Sequence, residues 1–410
     1  MTLYVYFDNK KAGTLYSTED RGVVFAYDES YLSDKEAQRL SVSLPLRLGE
    51  FSQKECMPFF SGLLPEEEAR RKIADYLHVS ETSTLKLLEV LGGECAGLIS
   101  IIPQELTGFQ KQEYILDEQN YQQLSWDAIS DYIRKMPERP LIKADDKLRL
   151  SLAGAQEKLS LAKINGKWYL PLNGAPSTHI LKPSREGTLS SLSQNEYICC
   201  KLAQAIGLEV PDVDIVRLAE KDVFVIERYD RICKNKTIKR LHQEDFCQAM
   251  GLMGTMKYQS DGGPGITDIF KVITNTCTVP AVETRKLLNY VIFNYLIGNC
   301  DAHGKNYSLL YKDNRIVLAP LYDLVSTTVY TGLTDKLSMK IGKHYEIKRI
   351  TKEDFAYLAQ EMQIKTEILW SIFEQFTKRL PDCIEQLKND VKVDKKLLEE
   401  IIEGIKARSF

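Results

Sequence analysis

The chain has 410 residues, of which 44% are hydrophobic, and its formal net charge is −3 at pH 7. This length predicts two or three lobes with real hydrophobic cores, while the weak charge gives no electrostatic basis for unaided nucleic-acid binding. No apolar run reaches the roughly 18 residues of a membrane span, and nine scattered cysteines without metal-binding spacing favour a reduced, cytoplasmic protein.

Residues 1–110 predict a small mixed α/β domain. The predicted strands share alternating or continuous apolar residues and cover residues 3–7, 13–16, 23–27, 41–44 and 96–102. Two helices are predicted, over residues 66–77 and 85–91, and the first has Pro65 and three glutamates at its start. Nothing in this domain has catalytic spacing.

Residues 111–240 begin with a polar stretch that holds one predicted helix, residues 126–136. A strand-like segment, residues 149–161, is then interrupted by small residues, which let backbone N–H groups approach an anion closely. The candidate phosphate loop consists of Ala153, Gly154, Ala155, Gln156, Glu157 and Lys158. A plain hairpin turn with one glycine is the alternative.

A lysine follows this loop inside an apolar strand, residues 179–183, where a kinase keeps its phosphate-pairing lysine. Lys182 is that candidate, and an edge-strand charge before a proline is the alternative. In the next predicted helix, residues 189–206, Glu196 either pairs with Lys182 or completes a capping box with Ser193. The polar linker after strand 223–226 is where an adenine-binding hinge would lie.

The densest chemical signal is the loop of residues 298–306, which follows an apolar helix predicted over residues 281–297. Asp301 and Asn306 have the spacing of a kinase catalytic loop, in which Asp takes the hydroxyl proton and Asn holds magnesium. Asp323, past a short apolar strand, would supply the second magnesium ligand. A loop whose polar groups satisfy one another, with Asp323 as a turn residue or N-cap, is the alternative.

The order of these features is that of a bilobal kinase: phosphate loop, strand lysine, helix glutamate, hinge, catalytic loop and metal aspartate. The predicted fold class is α+β, a bilobal protein-kinase-like fold with a small N-terminal α/β subdomain and a mostly helical C-terminal lobe. The predicted parts are residues 1–110, 111–240 and 241–410. The later predicted helices cover residues 243–250, 352–362, 365–380 and 397–405.

Several segments together resemble the HipA-type serine/threonine kinases, the toxin halves of bacterial toxin–antitoxin pairs. They are SLAGAQEK at 151–158, HILKP at 179–183, ERYDR at 227–231, RLHQED at 240–245 and DAHGKN at 301–306. The resemblance spans nearly the whole chain. It departs from the family pattern at His242, where proline is expected, and at Gly304, where alanine is usual.

The resemblance implies a role for each matching residue, with ATP and Mg²⁺ as cofactors. Asp301 is the catalytic base, Asn306 and Asp323 hold magnesium, and Lys182 pairs the phosphates. The residues implied to contact the rest of the nucleotide are the phosphate loop Ala153–Lys158, Glu227, Arg228 and Tyr229 at adenine, Asp230 near the ribose, and His303, Lys305 and Tyr322, which flank the nucleotide. Ser151 matches the family's inhibitory autophosphorylation site; an unregulated strand serine is the alternative.

The resemblance also implies partners. One is a small dimeric DNA-binding antitoxin (HipB-like), through which the chain would meet DNA indirectly, and the other is a protein substrate such as an aminoacyl-tRNA synthetase. Two further functions remain open: a non-catalytic nucleotide-gated binding module and a small-molecule kinase.

Overall fold

The structure is a computed structural model that describes residues 1–106, 119–136, 156–234 and 237–409. The autophosphorylation candidate Ser151 and three residues of the predicted phosphate loop, Ala153, Gly154 and Ala155, lie outside the described residues. By packing, the chain forms two compact units. The first comprises Met1–Lys182, Arg228–Thr255 and Leu310–Lys312, and the second comprises Pro183–Glu227, Met256–Leu309 and Asp313–Phe410. The three-part division predicted above stays a prediction.

The described residues form runs of strands and runs of helices. The strands are β1 (Thr2–Phe7), β2 (Lys10–Thr18), β3 (Gly22–Tyr27), β4 (Glu50–Phe51), β5 (Ile99–Pro103), β6 (Tyr121–Leu124), β7 (Leu159–Ile164), β8 (Lys167–Pro171), β9 (His179–Pro183), β10 (Val213–Leu218), β11 (Lys221–Glu227), β12 (Arg231–Lys234), β13 (Thr237–Arg240), β14 (His242–Asp245), β15 (Ser308–Lys312), β16 (Arg315–Leu318), β17 (Lys336–Ile341) and β18 (His344–Glu346). The helices are α1 (Glu29–Leu32), α2 (Gln53–Gly62), α3 (Glu67–Tyr76), α4 (Thr84–Leu91), α5 (Trp126–Lys135), α6 (Leu192–Ile206), α7 (Phe246–Ala249), α8 (Ile266–Thr276), α9 (Pro280–Ile297), α10 (Lys352–Glu361), α11 (Thr366–Lys388) and α12 (Lys395–Arg408).

The N-terminal part of the first unit is an antiparallel sheet with the strand order β4-β3-β2-β1-β5. Every second residue of β1 is buried, as the alternation predicted. The strand predicted over residues 41–44 is wrong, because that segment is a turn in which the Leu44 N–H donates to the Ser41 carbonyl (3.1 Å). Helix α2 was not predicted, since Pro58 lies inside it and hides its periodicity.

A second group of strands in the first unit has the order β9-β7-β8-β6 and is also antiparallel. Leu159 at the start of β7 pairs with Leu181 on β9. The phosphate-loop candidate ends at Lys158, directly before β7, and Lys182 lies on the neighbouring strand β9. The helix predicted over residues 243–250 is in part wrong: strand β14 covers His242–Asp245, and only the four-residue helix α7 follows it.

The second unit contains helices α6 and α8 to α12, and α9 is buried almost all round from Leu287 onward, as the apolar run before the loop predicted. Helix α6 begins at Leu192, so the predicted capping box is wrong: Ser193 lies inside the helix and is buried. The antiparallel strands and separate helices make this an α+β fold, as predicted. No helix in the described part of the chain has the length and apolarity to cross a bilayer.

Candidate active site

The central loop begins where α9 stops. Gly298 has a left-handed backbone (φ 74°), which ends the helix, and its N–H donates to the Tyr295 carbonyl (3.1 Å). The Asn299 N–H reaches back to the Asn294 carbonyl (2.9 Å). A Cβ at position 298 would collide with the Thr328 hydroxyl, so the site also needs glycine for space. The end of this buried helix therefore fixes the position at which the loop of residues 299–306 begins.

The side chain of Asn299 connects three parts of the site. Its amide nitrogen donates to the Asn294 side-chain oxygen (2.8 Å) and to the Asp323 carbonyl (3.4 Å). Its amide oxygen accepts from the Asp301 N–H (3.1 Å). One buried amide thus positions both aspartates that the sequence singled out.

Asp301 is exposed, whereas the residues that follow it, up to Asn306, are buried. Its Oδ1 accepts a hydrogen bond from the Tyr258 hydroxyl (2.9 Å), and its carbonyl accepts from the His303 N–H (2.8 Å). The Tyr258 ring also packs edge-on to the His303 ring, with 5.3 Å between centroids. This leaves the carboxylate oriented and open to an incoming group, as a general base requires.

The segment of Asp323 is fastened to the loop by its neighbour Tyr322. The Tyr322 hydroxyl donates to the Lys305 carbonyl and hydrogen-bonds the Ser308 hydroxyl, both at 2.7 Å. Asp323 itself has a left-handed backbone (φ 53°), which costs energy in a non-glycine residue and is common at functional sites. The two predicted magnesium ligands, Asn306 and Asp323, are therefore on cross-linked segments.

Across residues 1–106, 119–136, 156–234 and 237–409, no group of three or more His, Cys, Asp or Glu side chains could hold a metal ion. A kinase magnesium site needs fewer, because water and nucleotide phosphates supply most of its oxygen ligands. Asn306 and Asp323 offer the hard oxygen donors that magnesium prefers, so the pair fits this ion.

Helix α6 anchors the chain just past Asp323. The Asn195 amide donates to the Ser326 carbonyl (3.0 Å), and the Ser326 N–H donates back to the Asn195 side-chain oxygen (2.8 Å). Asn195 is fully buried, so this double contact is shielded from water. Its neighbour Glu196 is also buried, and the predicted pairing of Glu196 with Lys182 stays a prediction.

The other candidates belong to the first unit, apart from Glu227, which ends β11 in the second. Lys182 is buried, which a charged side chain tolerates only with partners. Glu157 is half-buried, and its carboxylate accepts from the Lys72 ammonium of α3 (2.6 Å). Gln156 and Lys158, on either side of it, are also half-buried.

The predicted hinge contains a buried ion cluster. Arg228 contacts Glu94 and Asp230 (3.0 Å each), and Arg231 contacts the same two carboxylates. Burial alone would raise the pKa of Asp230, but the charges of Arg228 and Arg231 outweigh burial and hold that pKa well below its ordinary value. The Tyr229 hydroxyl donates to the Gln243 side chain (2.6 Å).

The side chains of Arg228 and Asp230 are thus engaged with protein groups in this cluster. Their predicted contact with adenine and ribose stays a prediction. The sequence did not point to Tyr258, Asn299 or Asn195. Asn299 lies in the loop of residues 298–306, which the sequence did single out. Tyr258 lies 43 residues before Asp301, and Asn195 lies inside an ordinary helical pattern, so no local signal marked either of them.

Two family profiles match this chain. A HipA N-terminal domain matches residues 3–102, and a HipA-like C-terminal domain matches residues 150–384. Together they include the central loop, the Asp323 segment and the buried ion cluster.

Individual relatives agree with these profiles. The kinase-named protein Y4mE of Sinorhizobium fredii is 40% identical over 360 residues, which cover 88% of this chain and 85% of that protein. The serine/threonine-protein kinase toxin HipA of Shewanella oneidensis is 30% identical over 361 residues, covering 85% of this chain and 80% of the toxin. A solved complex of HipA, HipB and operator DNA from Shewanella oneidensis matches with a TM-score of 0.83 and 25% identity, over 99% of this chain and 95% of that one.

Fold and relatives agree on one class of protein, a kinase. The resemblance drawn from the five sequence motifs is confirmed, and the chain belongs to the HipA family of kinase toxins.

Proposed function

We propose that the chain is an ATP- and magnesium-dependent protein serine/threonine kinase that acts as the toxin of a toxin–antitoxin pair. The observation that carries this proposal is the fastening of the loop at residues 299–306 to the segment of Asp323, through Tyr322 and Asn299. This arrangement supports one exposed base beside two oxygen ligands for a metal. The kinase-named relatives support the same reaction class.

The reaction assigned to this site is transfer of the γ-phosphoryl group to a hydroxyl. The hydroxyl oxygen forms a bond to the γ-phosphorus, the bond from that phosphorus to the bridging oxygen of ADP breaks, and Asp301 accepts the hydroxyl proton. Tyr258 keeps the Asp301 carboxylate oriented for this transfer. When bound at Asn306 and Asp323, magnesium supplies neutralisation of the charge that develops on the phosphates.

The nucleotide is assigned to the following residues. Lys182 pairs its phosphates, and Ala153–Lys158 line the phosphate loop. Residues 227–230 meet adenine and the ribose, and the Arg228 guanidinium also donates to Glu94 and to Asp230. His303, Lys305 and Tyr322 flank the nucleotide; all three are at least half-buried beside the loop.

Regulation and partners follow from the family. Ser151 is proposed to be autophosphorylated, which would add about two negative charges to the nucleotide loop and oppose ATP binding. The matching complex contains HipB and operator DNA, so we assign to this chain a HipB-like antitoxin and only indirect contact with DNA. A translation component such as an aminoacyl-tRNA synthetase is the proposed protein substrate.

The test compares Asp301→Asn with Asp382→Asn, which removes the charge of another exposed aspartate on α11. Each purified protein is incubated with γ-labelled ATP, magnesium and a bacterial lysate, and the label in protein is measured over time. Loss of a general base costs about 10²–10⁴-fold in rate. We therefore expect labelling to fall by that factor in Asp301→Asn and to stay at the wild-type rate in Asp382→Asn.

Equal labelling by Asp301→Asn and the wild type would overturn the role of Asp301. If ATP is consumed but no protein is labelled, the site belongs to a small-molecule kinase. Binding of nucleotide without any turnover would instead favour a nucleotide-gated binding module that acts through its antitoxin.

A further inference from the structure

The N-terminal domain, residues 3–102, contains none of the residues assigned above to catalysis or to nucleotide. It nevertheless contacts two of the segments predicted to hold nucleotide, and both contacts lie within the first unit. We propose that this domain is a positioning element that sets the affinity of the nucleotide site by holding its phosphate loop and its hinge. The proposal rests on the proposed kinase function and assigns to that domain a part in nucleotide binding.

The first contact is the ion pair between Lys72 and Glu157. The Lys72 ammonium, on α3, lies 2.6 Å from Glu157 Oε1 and 3.2 Å from Glu68 Oε1. The hydrogen bond with Glu157 is the largest cause of a raised pKa at Lys72. Glu157 stands two residues before β7, at the end of the predicted phosphate loop. The pair therefore fixes one end of that loop to a helix of the N-terminal domain.

The second contact is the buried cluster at the hinge. Glu94 is fully buried and accepts hydrogen bonds from Arg228 and Arg231. The backbone N–H of Gly97 donates to Asp230 Oδ2 (2.9 Å). Arg240, at the end of β13, adds hydrogen bonds to the carbonyls of residues 95, 97 and 99. Because these charges are desolvated, displacing the segment would leave buried ions unpaired, which is strongly unfavourable.

Close backbone packing makes this second contact rigid. Gly97 has a left-handed backbone (φ 70°), and a Cβ there would lie 2.8 Å from the Gln243 backbone nitrogen. Only glycine allows the chain after Glu94 to approach the segment after the hinge so closely. The contact is thus set by shape as well as by charge.

The two contacts reach segments predicted to bind opposite ends of one nucleotide. When both ends of a site are held before binding, less ordering remains to be done on binding, and affinity rises. The groups assigned to the chemical step, Asp301, Asn306 and Asp323, belong to the second unit and receive none of these hydrogen bonds. Loss of either contact should therefore lower the affinity for nucleotide and leave the turnover number at saturating ATP nearly unchanged.

The experiment measures the dissociation constant of a fluorescent ATP analogue with magnesium, using full-length protein. Lys72→Met removes the contact, and Arg71→Met is the matched control, since Arg71 is an exposed cation on the same helix whose nearest carboxylate is that of Glu81. Because the pair is partly exposed, we expect about two- to fivefold weaker binding for Lys72→Met. Binding by Arg71→Met should stay unchanged, and the turnover number of Lys72→Met should stay within about twofold of wild type.

Further variants test whether loss of the Lys72–Glu157 ion pair, and not substitution in general, weakens nucleotide binding. Combining Lys72→Met with Glu157→Gln should weaken binding no more than Glu157→Gln alone, and exchanging the two charges (Lys72→Glu with Glu157→Lys) should restore affinity. Glu94→Gln should also weaken binding. If that variant fails to fold, the Lys72 series still decides the question.

The outcomes also separate this proposal from the kinase assignment. If the wild type binds no nucleotide, the proposed function fails. If the wild type binds nucleotide and labels protein, while Lys72→Met and Arg71→Met bind it equally tightly, the positioning role is overturned and the kinase assignment stands.

Discussion

The hydrogen-bond partners of the Asn299 side chain require a carboxamide at this position. It donates two hydrogen bonds and accepts one, and a carboxamide is the small side chain that carries both kinds of group. An aspartate of the same shape would place an acceptor against the Asp323 carbonyl. Asn299 therefore determines where Asp301 and Asp323 lie without touching a substrate itself.

Two buried titratable residues on β14 in the first unit have opposite pKa shifts. Burial raises the pKa of Glu244 to about 7, although Ser41, Tyr311 and the Val42 N–H all donate to its carboxylate. Burial lowers the pKa of His242 to about 4; its Nε2 hydrogen-bonds the Leu40 carbonyl. Both groups are neutral over part of the range in which they would be charged in an unfolded chain.

The signs of the two contributions to stability follow from these shifts. Glu244 has a raised pKa, so its contribution is fully present below about pH 4.5 and is lost as pH rises through about 7. His242 has a lowered pKa, so its contribution is lost as pH falls from about 6.5 through about 4. Between about pH 4.5 and 6.5 the two contributions oppose each other. The contributions of these two residues should therefore nearly cancel over that range.

Replacing Glu244 should reveal how its own contribution to the free energy of unfolding changes with pH. Glu244→Gln removes the titrating group and keeps an acceptor for Ser41 and Tyr311, so the wild type should lose stability relative to the variant as pH rises. We expect the difference to change on the order of 1–3 kcal/mol between pH 5 and 8. Denaturant unfolding of both proteins at the two pH values measures it. A difference that does not vary with pH would show that Glu244 keeps an ordinary pKa.

At the scale of elements, helix α9 ends against helix α12. Arg408 Nε donates to the Leu296 carbonyl (2.9 Å), and its guanidinium fills the space beside Gly298 that a Cβ would need. Burial lowers the pKa of Arg408. A cation is favourable at a helix C-terminus, where carbonyls have no partner within the helix. The last helix thus helps to fix the point at which the catalytic loop begins.

Arg408→Ala should therefore lower both stability and turnover. Removing the donor and the charge should cost about 1–2 kcal/mol of unfolding free energy, and the loosened loop should reduce the labelling rate more than it weakens ATP binding. Lys406→Ala is the control, because Lys406 lies in the same helical turn and is exposed. Unfolding and labelling are measured for both. If the two variants have the same unfolding free energy and the same labelling rate, Arg408 does not help to hold the catalytic loop.

At the scale of the molecule, the sequence predicted the elements whose pattern is local. Strands β1 to β3, helix α9 and the C-terminal helices followed from periodicity and from Pro or Gly at their ends. Strands β12 and β13 were missed although they pair locally. The turn at residues 41–44 was misassigned as a strand, and its Ser41 and Val42 donate to Glu244 some 200 residues away, which a local pattern does not reveal.

The same distinction applies to the site. Asp301, Asn306 and Asp323 were found because their spacing along the chain is characteristic of a reaction. Tyr258, Asn195 and Glu94 were missed because their roles come from tertiary contacts across 43 to 137 residues of sequence. Arg228 and Asp230 show the reverse case, since a motif marked them for nucleotide and the folded chain also pairs Arg228 with Glu94 and Asp230 with Arg228 and Arg231.

The whole molecule should report binding of nucleotide and metal through its stability. A ligand that binds only the folded state stabilises it by about 2.7 kcal/mol at 100 times its dissociation constant. We expect a non-hydrolysable ATP analogue with magnesium to raise the melting temperature, and we expect EDTA to remove most of that rise. The same measurement on two variants separates the metal ligands from the base. Asp323→Asn should lose the magnesium-dependent part, whereas Asp301→Asn should keep it while transferring phosphate about 10²–10⁴-fold more slowly. Loss in both variants, or in neither, would contradict these assignments.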